Sequence, residues 1–281
     1  MQGLIDMHCH IVPGVDDGAR DLYDAAKILQ LEYRNQVQAV IVTPHYRAGM
    51  FETPQREIER QFQRIDEMTR RSRSGDASIS GGVNTIRMLI WWRILKKGLR
   101  PTMAGTEYVL VEFSGRHNYQ IIRNQVYALL AAGYRPIIAH AERYPCLTKT
   151  PALVQELVHM GAQIQLTSAN VLGKSGWWQK QFCHKMIQKK QVHYIASDAH
   201  DQVHRKPDLL PCAEYVSKKY GQQMQNRYLL KTQPRLLKRV KKCKIKGEIN
   251  EASNFKEKRN VVCNDRRIEY TSYQYSIFRG R

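Results

Sequence analysis

No C-x-x-C pair occurs in this chain, whose six cysteines (Cys9, Cys146, Cys183, Cys212, Cys243 and Cys263) are scattered along its length. That spacing argues against a thiolate zinc site and offers no disulfide framework, so the cysteines read as reduced thiols. A cysteine phosphatase is excluded as well. Its thiolate needs an arginine six positions later to hold phosphate, and Val15, Ala152, Lys189, Lys218, Ile249 and Glu269 occupy those places. Long apolar runs are also missing: Met88–Trp92 and Val126–Ala132 fall far short of the ~18 residues that span a bilayer. The opening Met-Gln-Gly-Leu-Ile-Asp-Met-His-Cys-His lacks the basic start and apolar run of a secretory signal. A cytoplasmic protein without membrane insertion is the expectation.

What is present is ordinary in bulk, with 42% hydrophobic and 25% charged residues over 281 positions. That length suits one barrel of alternating strands and helices. The charge is less ordinary. Residues 1–215 carry 27 Lys and Arg against 20 Asp and Glu, whereas residues 216–281 carry 18 against 5, so most of the net +20 sits near the end of the chain. From Val240-Lys241-Lys242-Cys243-Lys244 onward apolar periodicity is weak, and the segment reads as a solvated, poorly ordered basic extension. Without interleaved aromatic stacking positions on a recognisable module, no specific nucleic-acid partner is expected. The organisation read from this is one domain over residues 1–240 and a basic tail over 241–281.

Short β-branched runs alternate with longer helical patterns. The strand candidates are Ala39–Thr43, Tyr108–Phe113, Pro136–His140, Ile164–Thr167 and His193–Ser197. Helices are expected at about Asp21–Gln36, Pro54–Arg71, Tyr119–Ala132, Pro151–Met160, Gly176–Lys190 and Pro211–Tyr220. Asp21 is placed to cap the first helix, Thr53-Pro54 starts the second, and Gly133 and Gly161 stop two others. Strand alternating with helix predicts an α/β fold with a parallel sheet, open or closed into a barrel.

Metal-binding side chains gather at the strand ends. They are His8 and His10 beside Asp6, His45 after Pro44, Glu112 in an apolar strand, His140, and the pair Asp198 and His200. Residues two apart in a strand face the same way, so each x-spaced pair presents both donors to one side. The C-terminal strand ends of such folds form the active-site face. A lone His-x-His is weak, His45 suits a turn, and Glu112 could pair with a buried arginine. Five strands ending in imidazole or carboxylate are harder to ascribe to chance, because each such group is expensive to bury alone. His117, His159, His184, His193 and His204 lack the pattern and read as surface or structural. Nitrogen and oxygen donors without thiolate suit zinc, manganese or iron, and this many imply more than one ion. Paired metals clamp the attacking and leaving oxygens of phosphoryl transfer, and Arg143 and Arg205 offer forks for the phosphate.

The segments Asp6-Met7-His8-Cys9-His10-Ile11-Val12-Pro13-Gly14-Val15-Asp16-Asp17-Gly18, Ile41-Val42-Thr43-Pro44-His45-Tyr46, Val109–Phe113, Ile138–Arg143 and Ile195–His200 together resemble one family. It is that of the bacterial manganese-dependent tyrosine-protein phosphatases of the polymerase-and-histidinol-phosphatase (PHP) superfamily, found in capsular and exopolysaccharide biosynthesis. The resemblance covers about residues 4–240. It implies a distorted (β/α)7 barrel with up to three manganese or other divalent ions. Their ligands would be His8, His10, Asp17, His45, Glu112, His140, Asp198 and His200, and Arg143 and Arg205 would hold phosphate. Asp17 enters through the resemblance alone. The implied partner is a phosphorylated bacterial tyrosine kinase controlling polysaccharide synthesis. One departure stands out. Gly82-Val83-Asn84-Thr85-Ile86-Arg87 places Thr85 where the family carries a metal-bridging glutamate, and residues 77–105 are atypical throughout. Impaired activity, an inactive kinase-binding relative and a small-molecule phosphoesterase acting on a substrate such as histidinol phosphate therefore stand as alternatives.

Overall fold

A computed structural model describes residues 4–47, 49–72, 84–85, 102–103 and 106–230, with backbone alone at 70–72, 84–85 and 230. The tail 241–281 and nearly all of the atypical stretch 77–105 lie outside these residues. Among the described residues seven strands are present: β1 (Leu4–Cys9), β2 (Val37–Val42), β3 (Asn84–Thr85), β4 (Tyr108–Val111), β5 (Arg135–Ile138), β6 (Gln163–Thr167) and β7 (Tyr194–Ala196). All pair in parallel, in the orders β1-β2-β3 and β4-β5-β6-β7. The two sheets meet along β1 and β7, where Asp198 N–H donates to His8 O at 2.9 Å and His10 N–H to Ala199 O at 2.8 Å. The running order is thus β3-β2-β1-β7-β6-β5-β4. Parallel strands buried on both faces are apolar almost throughout, as in Val-Gln-Ala-Val-Ile-Val of β2 and Tyr-Val-Leu-Val of β4.

Helices cover the sheets: α1 (Leu22–Arg34), α2 (Gln55–Ser72), α3 (Tyr119–Ala131), α4 (Pro145–Lys149), α5 (Ala152–Met160), α6 (Ser168–Leu172), α7 (Trp177–Gln188), α8 (Leu209–Tyr220) and α9 (Gln222–Gln225). Asp21 caps α1 by accepting Asp24 N–H at 2.9 Å, and Asn118 caps α3 by accepting Ile121 N–H at 3.0 Å. Such caps satisfy amides that have no intrahelical partner. Gly161 ends α5 at φ 109°, a left-handed conformation that glycine adopts at little cost. Ile28, Leu29, Val126, Leu129, Leu157 and Met186 pack from the helices onto Val40, Val109, Ile137, Ile164 and Ile195 of the strands in one apolar core.

The expected strands and helices are all present, with ends shifted by a few residues. The expected strands ending at Phe113, His140 and Ser197 instead stop at Val111, Ile138 and Ala196. The donors lie in the turns beyond, so strand alternation is not what aims Asp198 and His200. Asp198 is left-handed at φ 55° and His140 at φ 32°. The short α4, α6 and α9, and β3, had no counterpart in the sequence reading, since one or two turns carry too little periodicity.

Candidate metal centre

His8 in β1 and His10, one residue past its end at Cys9, place two imidazoles side by side, with His8 Nε2 and His10 Nε2 3.1 Å apart. Glu112, one residue past β4, brings Oε1 to 3.3 Å from His8 Nε2 and 3.2 Å from His140 Nε2. Asp198 Oδ1 lies 3.2 Å from His8 Nε2 and 3.5 Å from His10 Nε2. On the outer side Asp17 Oδ1 reaches His45 Nε2 at 3.4 Å and His200 Nε2 at 3.5 Å. Two four-membered groups result, His8/His10/Glu112/Asp198 and His10/Asp17/His45/His200, each with its donor atoms within 4.8 Å of one another. All eight side chains singled out from the sequence therefore converge at the C-terminal ends of the strands. Arg143 Nη2 lies 2.6 Å from Asp198 Oδ2, and Arg205 reaches Asp198 Oδ2 at 3.0 Å and Asp17 Oδ2 at 3.5 Å.

A second layer of residues orders these groups. The Asp16 carboxylate accepts His10 Nδ1–H at 2.8 Å and the His45 N–H at 2.8 Å. It is the adjacent acid to Asp17, with a different task. The Tyr144 hydroxyl accepts Phe113 N–H at 3.0 Å and lies 3.3 Å from His140 Nδ1. Gly18 admits no side chain, because a Cβ there would collide with the His10 backbone carbonyl. Beneath the cluster Asp6 accepts Ser197 N–H at 3.1 Å, His8 N–H at 3.2 Å and the Ser197 hydroxyl, clasping β1 to the turn that carries Asp198. Glu32 lies against Asp6 and Cys9, and burial together with the Asp6 charge pushes its carboxyl well above the usual range. Cys9, Cys183 and Cys212 are buried, and burial pushes their thiols up.

The electrostatics are those of ionised acids packed among imidazoles. Burial alone would raise the Asp198 and Glu112 pKa values, yet the surrounding His8, His10, Arg143 and His140 groups hold Asp198 well below the usual carboxylate range, and His140, His8 and His45 do the same for Glu112. His10, despite its burial, is pushed up to about 10 by Asp16. Its stacked neighbour His200, with ring centroids 3.8 Å away, is pushed down to about 4 by burial and by that His10 charge. Two buried donors, Asp198 Oδ1 and His200 Nε2, have no hydrogen-bond partner. Orphaned acceptors aimed into a nest of imidazole nitrogen and carboxylate oxygen fit divalent cations, and the donor types suit manganese, iron or zinc.

Thr85 pairs by backbone with Val40 in β2, and its side chain lies outside the described residues. Of the remaining histidines, His184 and His193 bond to local groups away from this cluster. Asp16, Asp6, Tyr144 and Gln165, which supports His8 and the His140 backbone, were not foreseen. Only the Asp16-Asp17 doublet carried a sequence signal.

A parallel α/β fold with paired His and carboxylate clusters and two arginines on its C-terminal rim defines a class of proteins with a rim able to hold metal ions. Within it, this chain belongs to the family described as capsular polysaccharide synthesis, CpsB/CapC, which matches residues 4–238. It is 33% identical over 223 residues to tyrosine-protein phosphatase CpsB of Streptococcus pneumoniae, covering 78% of this chain and 91% of that protein. To tyrosine-protein phosphatase YwqE of Bacillus subtilis it is 29% identical over 239 residues, covering 84% and 92%. A solved structure from work on YwqE of Bacillus subtilis and CpsB of Streptococcus pneumoniae, described as unique metal-dependent tyrosine phosphatases, aligns with TM-score 0.70 at 28% identity. It covers 79% of this chain and 89% of the other.

Proposed function

We propose that this protein is a metal-dependent tyrosine-protein phosphatase that removes phosphate from a bacterial tyrosine kinase controlling capsule or exopolysaccharide synthesis. The observation that carries the proposal is the convergence of eight nitrogen and oxygen donors and two arginines on one rim, in a chain whose relatives are named tyrosine-protein phosphatases. The running strand order would close between β3 and β4 as a seven-stranded barrel of the PHP type. Its active-site face would meet the cytoplasm, where the kinase substrate is expected.

His8, His10, Asp17, His45, Glu112, His140, Asp198 and His200 would hold up to three ions, with manganese the favoured metal. Bound there, divalent cations lower the pKa of water and offset phosphoryl charge. The protein's own side chains do the positioning. Arg143 and Arg205 both flank Asp198, and their planar forks can turn onto two phosphoryl oxygens, fixing phosphorus over the cluster. Asp198 tethers both guanidinium groups, which lowers the entropy lost when phosphate docks. Asp17, held below the usual range with His200 and His45 beside it, stays ionised and donates no proton. The departing group is a phenolate, a comparatively good leaving group that needs little protonation.

Phosphate release from a phosphotyrosine peptide, measured with added manganese and again with a chelator, tests the proposal. Manganese-dependent turnover on that peptide exceeding turnover on histidinol phosphate is the expected result. No turnover by the metal-loaded protein would reject it. Thr85, in place of the family's bridging glutamate, favours a second reading in which the protein binds its kinase with weakened or absent activity. Under that reading Thr85→Glu raises both manganese content and rate.

A further inference from the structure

Strand β6 ends without an acid or a histidine, although its neighbours β5 and β7 lead directly into candidate ligands. Its middle residue, Gln165, is fully buried. The amide nitrogen of Gln165 donates to Leu166 O at 2.8 Å, which settles which way the amide faces and leaves Oε1 as an acceptor. That oxygen accepts the His140 backbone N–H at 2.7 Å and lies 3.3 Å from His8 Nδ1. An amide oxygen has no proton to give. A hydrogen on Nδ1 of His8 is what makes this contact a hydrogen bond, and that tautomer leaves the Nε2 lone pair for a cation. Nε2 is the atom that faces His10 Nε2, Glu112 Oε1 and Asp198 Oδ1 at 3.1, 3.3 and 3.2 Å.

The other contact also has a purpose beyond packing. His140 sits at φ 32°, in the left-handed region that is strained for a non-glycine residue and persists only where the surroundings impose it. The Gln165 oxygen is one of those impositions, since it takes the amide hydrogen of that very residue. From there His140 directs Nε2 to 3.2 Å from the same Glu112 oxygen that His8 approaches.

We propose that Gln165 is a positioning residue of the metal centre: one buried amide selects the His8 tautomer and pins the His140 backbone, so that both rings turn Nε2 to the same Glu112 oxygen of the cluster. This rests on the metal-dependent reading of the site and deepens it. Partners of this kind, behind a ligating histidine, typically change metal affinity by about 10–100-fold when removed.

Gln165→Met preserves length and burial but removes the acceptor. Gln165→Glu, as a buried neutral acid, keeps an acceptor oxygen and a donor for Leu166 O. Competition of the metal-free proteins with a chelating dye for manganese, thermal melts without metal, and steady-state kinetics on a phosphotyrosine peptide decide the matter. Gln165→Met is expected to bind manganese about 10–100-fold more weakly. It should keep a metal-free melting temperature near that of the parent and lose kcat with KM unchanged, and Gln165→Glu should recover most of the affinity. Equal manganese affinity in Gln165→Met and the parent would overturn the proposal, as would an equal loss in both variants. If Gln165→Met does not fold, nitrogen-15 shifts of the parent's imidazoles decide instead: an Nδ1–H tautomer at His8 supports the role, and an Nε2–H tautomer overturns it. A parent that takes up no manganese sinks the phosphatase reading and this one with it, whereas a parent that binds manganese as tightly as its Gln165→Met variant sinks only this one.

Discussion

Among the described residues, buried and half-buried histidines occur in two regions, and they are satisfied in different ways. Between the helices His184 Nε2 lies 3.3 Å from Val171 O and 3.2 Å from the Tyr215 hydroxyl, and Lys219 Nζ lies 2.8 Å from its Nδ1. His193 Nδ1 accepts Ile164 N–H at 3.1 Å. These rings complete local hydrogen-bond sets and face no carboxylate. At the rim His8, His10, His45, His140 and His200 crowd one another and three ionised acids, with a ring nitrogen and a carboxylate oxygen left over. Burial of an imidazole therefore says little about ligation. The partner set, acids from distant strands against carbonyls and amides nearby, separates the two roles.

The comparison breaks most visibly at its most connected rim residue. Asp198→Asn removes the charge shared by His8, Arg143 and Arg205, and phosphate release should fall on the order of 10²–10³-fold, as when one preorganised charge-stabilising group is lost. A rate within a fewfold of the parent would place the chemistry elsewhere. Asp16→Asn, one layer out, weakens the hold on His10 Nδ1 and should lower manganese affinity by about tenfold or more, read by chelator competition. His193 sharpens the contrast through pH. Its folded-state pKa is pushed down to about 4 by burial and by the nearby Arg227 charge, so the unfolded chain takes up the proton first. The neutral ring's contribution is full above pH ~6.5 and is lost as pH falls towards 4, on the order of 1–3 kcal/mol. Denaturant melts across that window should be steeper in pH for the parent than for His193→Asn. His184→Gln should have the least effect, costing about 1 kcal/mol of stability with turnover unchanged, since only local hydrogen bonds are altered.

Much of the rim was legible because its residues are chemically distinctive and sit where β-branched runs stop. His10, His45, His140 and His200 could each be found by locating a strand and reading just past its end. Aim was not legible from alternation. His140 and Asp198 reach the cluster through left-handed turns, which leave no pattern in sequence because the surroundings impose them. The doublet Asp16-Asp17 announced an acid, and only three-dimensional contacts divided the work: Asp16 turns inward to His10, while Asp17 stays exposed and reaches His45 and His200. Asp6 and Tyr144 are supporting residues whose types suit many other purposes.

By itself the chain order of apolar runs, caps and glycines determined a parallel α/β protein with nitrogen and oxygen donors at successive strand ends, because hydrophobic period and helix capping act over a few residues. Which donors share an ion, which acid stands behind which ring, and that a glutamine in β6 faces a histidine 157 residues earlier were decided only when the sheets packed. Those choices depend on distances between strands, and such distances are set by the burial of the whole core rather than by any local run of residues.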